Sequence, residues 1–320
     1  MSQQQPRNIP ASVRRRLLHL SKEQGEDFNY LLTRYAADRL LYRLSQSVHK
    51  HQFILKGATL FRVWSGEPHR ATKDVDLLGH GNSEISSLTK IFQEICEISC
   101  EDDGITFGSE TVKGEKIKED QEYEGVRIKL RSQLETTTIQ VQIDIGFGDA
   151  VTPKAQEVEF PPILNLPAPC LLIYPRETVI AEKFQAMVAL GIMNSRLKDF
   201  YDIWFLCQKF EFQGTILSEA LKNTFHRRRT PLPIALPFAL TAEFAFDKDK
   251  QKQWKSFVDK GQLKTAHVSL PEVIAVVGEF LMPPSLAAAQ GEVFNKIWIA
   301  STYWSEMRPF GALDISPEKQ

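Results

Sequence analysis

Cysteine is scarce in this chain: 320 residues carry four, Cys96, Cys100, Cys170 and Cys207. Cys96 and Cys100 stand four apart, but no second pair with metal-ligand spacing follows, which argues against a zinc site. The four read as buried apolar residues of a reducing compartment rather than a disulfide framework. Net charge is missing too. Lys plus Arg is 39 and Asp plus Glu is 40, leaving −1, so any binding to nucleic acid has to come from local patches. Clean apolar runs are absent as well. The longest, near 179–193 and 270–283, are interrupted by charge and read as too short to span a bilayer. The segment MSQQQPRNIP puts no apolar run behind its charge and reads as no signal peptide. No internal repeat is visible. These absences point to a soluble, cytoplasmic protein with no membrane partner, long enough to hold two domains.

The first half of the chain mixes helix and strand signals. Segments 12–20 and 27–50 read as helices. In the second, Phe28, Leu31, Leu32, Tyr35, Ala36, Leu40, Leu41 and Leu44 recur at helical spacing, and Asp27, Arg34, Asp38, Arg39 and Arg43 are expected on the opposite, solvated side. A third helix is expected at about 84–97, followed by a Gly- and charge-rich stretch, 101–124. Strict alternation in 125–131 and 139–145 predicts two half-buried, antiparallel strands. Six prolines between Pro153 and Pro175 argue against helix and central strand there. The domain boundary is placed in that stretch, giving residues 1–165 and a mostly helical 166–320. In the latter, 179–190 and 197–210 read as helices, with Gly191 capping the first.

Chemistry concentrates in two places. From Phe53 to Leu78 the chain reads FILKGATLFRVWSGEPHRATKDVDLL: a buried strand, a turn at Gly57, a helix start, a polar loop and a second strand. Alternation in the second strand puts Asp74 and Asp76 on one face and Val75 and Leu77 on the other. Side-by-side carboxylates repel unless a cation lies between them, and a divalent metal is the usual answer. A Gly turn beside such a pair suggests phosphoryl or nucleotidyl transfer, although an Asp-x-Asp on an edge strand is also what a solvated face looks like. Asp144 falls on the polar face of 139–145, either as a third carboxylate of the site or as a surface residue. The second place is Lys183 on one helix and Arg196, Asp199 and Asp202 opening the next. A tight loop at 191–195 would fold the two as a hairpin and bring Lys183 close to the aspartates. Arg14-Arg15-Arg16 and His226-Arg227-Arg228-Arg229 are either solvated faces or tracks for an RNA backbone.

Taken in order, RYAADRLLYRLSQS, FILKGATLF, HRATKDVDLL, VQIDIGFGD, VIAEKFQAM and SRLKDFYDIW resemble the AbiEii/AbiGii toxin family of nucleotidyltransferases, MenT-like toxins among them, over about residues 28–210. The resemblance implies an α+β fold: a DNA polymerase β-like nucleotidyltransferase core, with a mixed sheet flanked by helices, and a helical C-terminal domain contributing Lys183 and Asp202. It implies a type IV toxin–antitoxin setting in phage defence and transfer of a nucleotide from an NTP to an RNA, likened to the tRNA 3′ end. Two Mg²⁺ ions, roughly 3.5–4 Å apart in such sites, would be held by Asp74, Asp76 and Asp144. Lys56, Gly57 and Thr59 match the turn that holds the triphosphate, and Arg70 the basic residue before the Asp pair. Lys183 and Asp202, with Asp199, match the later motifs. An antitoxin partner is implied, without need of direct contact. Two departures stand out: Gly57-Ala58 replaces the usual Gly-Gly or Gly-Ser, and the stretch from Thr59 to Lys73 is longer than in generic polymerase β-like enzymes. Transfer of AMP to a protein or small molecule, and a non-catalytic nucleotide- or partner-binding module, are the rival readings.

Overall fold

The computed structural model describes residues 8–66, 72, 74–100, 102–117, 125–261 and 268–306. The chain divides into two units: residues 1–149 with 154–174, and residues 150–153 with 175–320.

The first unit begins with helices α1 (Ile9–Gln24) and α2 (Phe28–Gln46). Asn8 and Asp27 cap them, each side chain accepting a backbone N–H of the first turn, as short polar side chains do at helix starts. β1 (Phe53–Lys56), α3 (Thr59–Ser65), β2 (Val75–Gly79) and α4 (Ile85–Glu97) follow. Then come β3 (Ile105–Ile117), β4 (Gly125–Leu134), β5 (Thr137–Phe147), β6 (Gln156–Glu159) and β7 (Cys170–Ile173). The seven strands form one mixed sheet in the order β3-β4-β5-β2-β1-β7-β6. β2 runs parallel to β5 and antiparallel to β1, and β1 runs parallel to β7. The fold is thus α+β, a mixed sheet flanked by helices.

Local chemistry sets the register. β4 and β5 join through a two-residue turn in which Glu135 takes φ 54°, the left-handed geometry that matches strand twist in tight hairpins. Val126, Ile128, Leu130, Val141, Ile143 and Ile145 are buried, so the alternation turns Arg127, Lys129, Gln142 and Asp144 to the other face. The Gly- and charge-rich stretch 101–124, which carries no strand signal in its residues, supplies β3, which pairs with β4. The Pro-rich stretch departs from expectation. Cys170–Ile173, free of proline between Pro169 and Pro175, lies inside the sheet between β1 and β6.

The charges of α2 are a second correction. Asp38, Arg39 and Arg43, expected in solvent, are buried. Arg39 Nε and Arg43 Nη1 reach Asp103 Oδ2 at 3.0 and 2.8 Å, and Arg39 Nη1 donates to the Pro167 carbonyl at 2.8 Å. The Tyr35 hydroxyl donates to the Asp103 carbonyl at 2.6 Å. Charge pairing and carbonyl acceptors together make the burial tolerable.

The second unit contains α5 (Arg176–Leu190), α6 (Leu197–Lys209), β8 (Phe212–Gln213), α7 (Gly214–Arg227), α8 (Ala242–Phe246), α9 (Lys248–Gly261), α10 (Leu270–Gln290), β9 (Lys296–Trp298) and β10 (Trp304–Glu306). The strands form a small sheet, β10-β9-β8. Residues 150–153 belong here through Thr152: its N–H donates to Thr178 Oγ1 at 2.9 Å, and the Thr178 hydroxyl donates to its carbonyl at 2.8 Å. α10 is, by length and composition, apolar enough to cross a membrane, against the expectation drawn from 270–283. Its Val273, Val277, Phe280, Leu281 and Pro284 are buried in the unit, as befits a core helix. Pro283 and Pro284 do not end it. Pro284 has no N–H for the Phe280 carbonyl, and Trp304 Nε1 donates to that oxygen at 3.0 Å instead. Phe280 lies 4.9 Å from the Trp298 ring and 5.7 Å from Trp304.

Burial of Asp38, opposed by Arg62 and Arg39, raises its pKa to about 6. A carboxyl with a raised folded pKa adds stability that is complete below the unfolded pKa and lost as pH rises through the folded one. Asp38→Asn is therefore expected to gain on the wild type between about pH 4 and 6.5, by up to about 3 kcal/mol. Urea unfolding across that range checks it: a difference flat with pH would contradict the assignment.

Candidate active site

β1 ends at Lys56, and Gly57 turns the chain with φ 78° into α3. Glycine is required there twice over. The φ is disfavoured for other residues, and a Cβ on Gly57 would lie 1.9 Å from Asp76 Oδ2 and 2.8 Å from Asp76 Cβ. The turn is packed onto the carboxylate. Ala58 sits at φ −69° and ψ −19°, a helical geometry that alanine takes without strain. Leu60 and Phe61 amides close the first turn of α3 on the Gly57 and Ala58 carbonyls at 3.3 and 3.2 Å. Further along α3, half-buried Trp64 meets the edge of the Phe61 ring at 5.5 Å.

Four strands bring a row of charge across one face of the sheet. Lys56 pairs in register with Asp76, Asp76 with Asp144, and Asp144 with Arg127. Asp74, immediately before β2, shares the Asp76 side of the alternation and is half-buried. Its approach is fixed from behind: the Thr72 N–H donates to the Tyr30 hydroxyl at 2.9 Å. Lys56 Nζ reaches Asp149 Oδ2 at 3.1 Å and lies 5.6 Å from the centre of the Tyr174 ring. Arg127 forks onto Asp144, Nε to Oδ1 at 2.8 Å and Nη2 to Oδ2 at 2.7 Å. That bond, with a smaller contribution from Asp74, pushes the guanidinium pKa further above its usual value. A groove of about 810 Å³ opens beside Asp74, lined by Lys113, Lys129, Arg131, Gln140 and Gln142 among others.

A divalent cation is the group this arrangement suggests. The donors are carboxylate oxygens, partly exposed and adjacent across parallel strands, as a hard cation prefers. Among the described residues no three His, Cys, Asp or Glu side chains are arranged to hold a metal. Both oxygens of Asp144 are engaged by Arg127. Mg²⁺ keeps several waters and needs only one or two carboxylates besides substrate phosphate, so the Asp74 and Asp76 pair fits it.

In the second unit α5 and α6 form the expected hairpin. Lys183 Nζ lies 2.6 Å from Asp199 Oδ1 and 2.8 Å from Asp202 Oδ2, and Arg196 Nε reaches Asp199 Oδ2 at 2.8 Å. The Asp199 and Asp202 side chains are 1 % and 0 % exposed and that of Lys183 13 %, so Lys183, joined by Arg196 at Asp199, makes their burial tolerable. Arg70 lies outside the described residues. Thr59 opens α3. Of the basic clusters, Arg15, Arg16, His226, Arg227 and Arg229 are exposed, while Arg228 reaches Glu182 at 3.3 Å. Cys96 and Cys207 are buried, and burial pushes both thiols up to about 12. Cys100 and Cys170, also expected to be buried, are half-buried.

Pattern reading missed the two residues that hold the site's charges, Asp149 and Arg127. The signal for Arg127 was present: two alternating strands joined by a two-residue turn place it opposite Asp144.

Among protein families, the model for the nucleotidyl transferase AbiEii toxin of type IV toxin–antitoxin systems matches residues 39–277. No curated protein matches the chain. Solved structures similar to it include a candidate nucleotidyltransferase from H. pylori and JHP933 from Helicobacter pylori. Each is 18% identical with a TM-score of 0.43; they cover 79% of this chain, and 92% and 89% of their own.

Two substitutions test the geometry. Gly57→Ala should lose roughly 1–2 kcal/mol from backbone strain alone, more if Asp76 is displaced, as read by thermal unfolding. Lys183→Met removes the cation shared by the two buried carboxylates, leaving Asp199 only Arg196, and should cost roughly 3–5 kcal/mol, read by guanidinium unfolding; a loss below 1 kcal/mol would show the cluster to be solvated.

Proposed function

The chain belongs to the AbiEii family of type IV toxin nucleotidyltransferases, and on that premise we propose that it transfers a nucleoside monophosphate from an NTP to an RNA, with the tRNA 3′ end as acceptor. The observation that carries the reading is the juxtaposition of Asp74, Asp76 and the Gly57 turn, where a phosphate chain can approach backbone and carboxylates together. In the transfer, an acceptor hydroxyl oxygen forms a bond to the α-phosphorus. The bond from that phosphorus to the α,β-bridging oxygen breaks, pyrophosphate leaves, and the hydroxyl proton passes to solvent.

Asp74 and Asp76 would hold Mg²⁺, which when bound supplies neutralisation of the triphosphate and of the charge building on the leaving group. Lys56, Gly57 and Thr59 form the phosphate-facing turn, with Arg70 as a further basic residue. Gly57 admits the close approach, and Lys56 is kept extended by Asp149. The role proposed for Lys183, a point charge for the triphosphate, is supported by the place of its segment in the family's order, as are the roles of Asp199 and Asp202 in orienting it. Acceptance of RNA is supported by the groove beside Asp74, whose Lys113 and Arg131 suit a phosphate backbone and whose glutamines suit bases and riboses, Lys129 there being paired with Glu115. An antitoxin encoded with the toxin and a cytoplasmic setting complete the proposal. Phage defence is the setting the family implies.

Incubation with each α-labelled NTP, Mg²⁺ and total tRNA, resolved on a denaturing gel, tests it. Label on tRNA is expected, reduced by roughly three orders of magnitude in Asp74→Asn and Asp76→Asn. Label on protein or on a small molecule would move the acceptor to those classes. Equal label in wild type and variants would remove the carboxylates from the chemistry.

A further inference from the structure

Arg127 occupies an unusual place for a surface arginine. It faces Asp144 directly across the β4–β5 ladder and engages both carboxylate oxygens in a fork. Asp144 is in turn the register partner of Asp76 on the next strand. The oxygens that a divalent ion would draw from Asp144 are thus already directed at a guanidinium. Bidentate pairing gives that contact a defined geometry, while side-chain exposures of 31% and 21% leave it open to solvent and to incoming solutes.

We propose that Arg127 is a positioning residue that stands in for the cation at Asp144: it competes with the divalent ion for that carboxylate and, once displaced, pairs with a phosphate oxygen of the arriving nucleotide. The inference rests on the proposed function and adds a linkage to it. Two like charges, Asp76 and Asp144, adjacent across parallel strands need neutralising in every state. Before loading, Arg127 provides it at Asp144, while Lys56, at the other end of the row, is held on Asp149. After loading the cation does, and the guanidinium is released on the face where a triphosphate brings new anionic oxygens. Cation and nucleotide then bind with positive coupling, because each removes the other's competitor.

The exposed position makes the test practicable. A surface ion pair contributes about 1 kcal/mol or less to folding, so Arg127→Gln should fold, checked by circular dichroism and thermal unfolding. Mn²⁺ binding without nucleotide is measured by electron paramagnetic resonance on wild type, Arg127→Gln, Arg127→Lys and Asp76→Asn. Arg127→Gln should bind Mn²⁺ roughly fivefold more tightly, the equivalent of about 1 kcal/mol. With Mn²⁺ saturating, it should bind an α,β-methylene NTP roughly tenfold more weakly. Arg127→Lys, which keeps the charge and loses the fork, should fall between. Mn²⁺ affinity unchanged or weakened in Arg127→Gln would overturn the competition and leave the proposed function standing. Wild type and Asp76→Asn binding Mn²⁺ equally would overturn the carboxylate cation site itself, and this inference with it.

Discussion

Two carboxylates forced side by side govern this structure. Asp76 and Asp144 are register partners on parallel strands, a contact that would be repulsive without neighbours of opposite sign. The sheet supplies them on both flanks, Lys56 on one outer strand and Arg127 on the other. Strand order is therefore inseparable from charge order: β4, β5, β2 and β1 must lie in that sequence for the row to balance. Gly57 closes one end, because only a residue without a side chain lets the turn rest against Asp76.

Much of this was legible in the residues. The alternation of 125–131 and 139–145 fixed which side chains face outward. Asp74, Asp76 and the Gly57 turn were recognisable as a pair of carboxylates beside a close backbone approach, and the short loop after Gly191 correctly implied that Lys183 meets Asp199 and Asp202. What escaped was whatever depends on partners distant in the chain. β3 alternates poorly because much of its length is half-exposed beside a single neighbour. β7 is only four residues long, too short for a period to register. Asp38, Arg39 and Arg43 look like a solvated face until Asp103, sixty residues later, is seen between two of them. Pro283 and Pro284 look like a helix end because nothing local announces that an indole will take the carbonyl they leave.

Charge is used in two contrasting ways in the first unit. Along α2 it is buried and structural: Arg39 and Arg43 hold Asp103 and donate to the Pro167 and Ile105 carbonyls, while Arg39 Nη2 is buried without a hydrogen bond among the described residues. On the sheet face it is partly exposed, as at the Arg127–Asp144 pair. The first kind holds α2 in place. The second is what a site for a charged substrate requires, since a fully buried pair would have to break an expensive contact to admit one. The Lys183 cluster of the second unit resembles the first kind in its aspartates and the second in its lysine.

The distribution of indoles has an optical consequence. Of five tryptophans, Trp64 alone belongs to the first unit, on the short helix that leaves the Gly57 turn, and Trp204, Trp254, Trp298 and Trp304 belong to the second. Trp298 is buried beside Phe280, with its N–H on the Cys207 carbonyl, an apolar setting that shifts emission to the blue. Four of the five emitters of the native protein thus lie in the helical unit. A variant with the other four indoles replaced by phenylalanine would carry one emitter, a few residues from the place where phosphate is expected, and the chain would report on its own active site without an added dye.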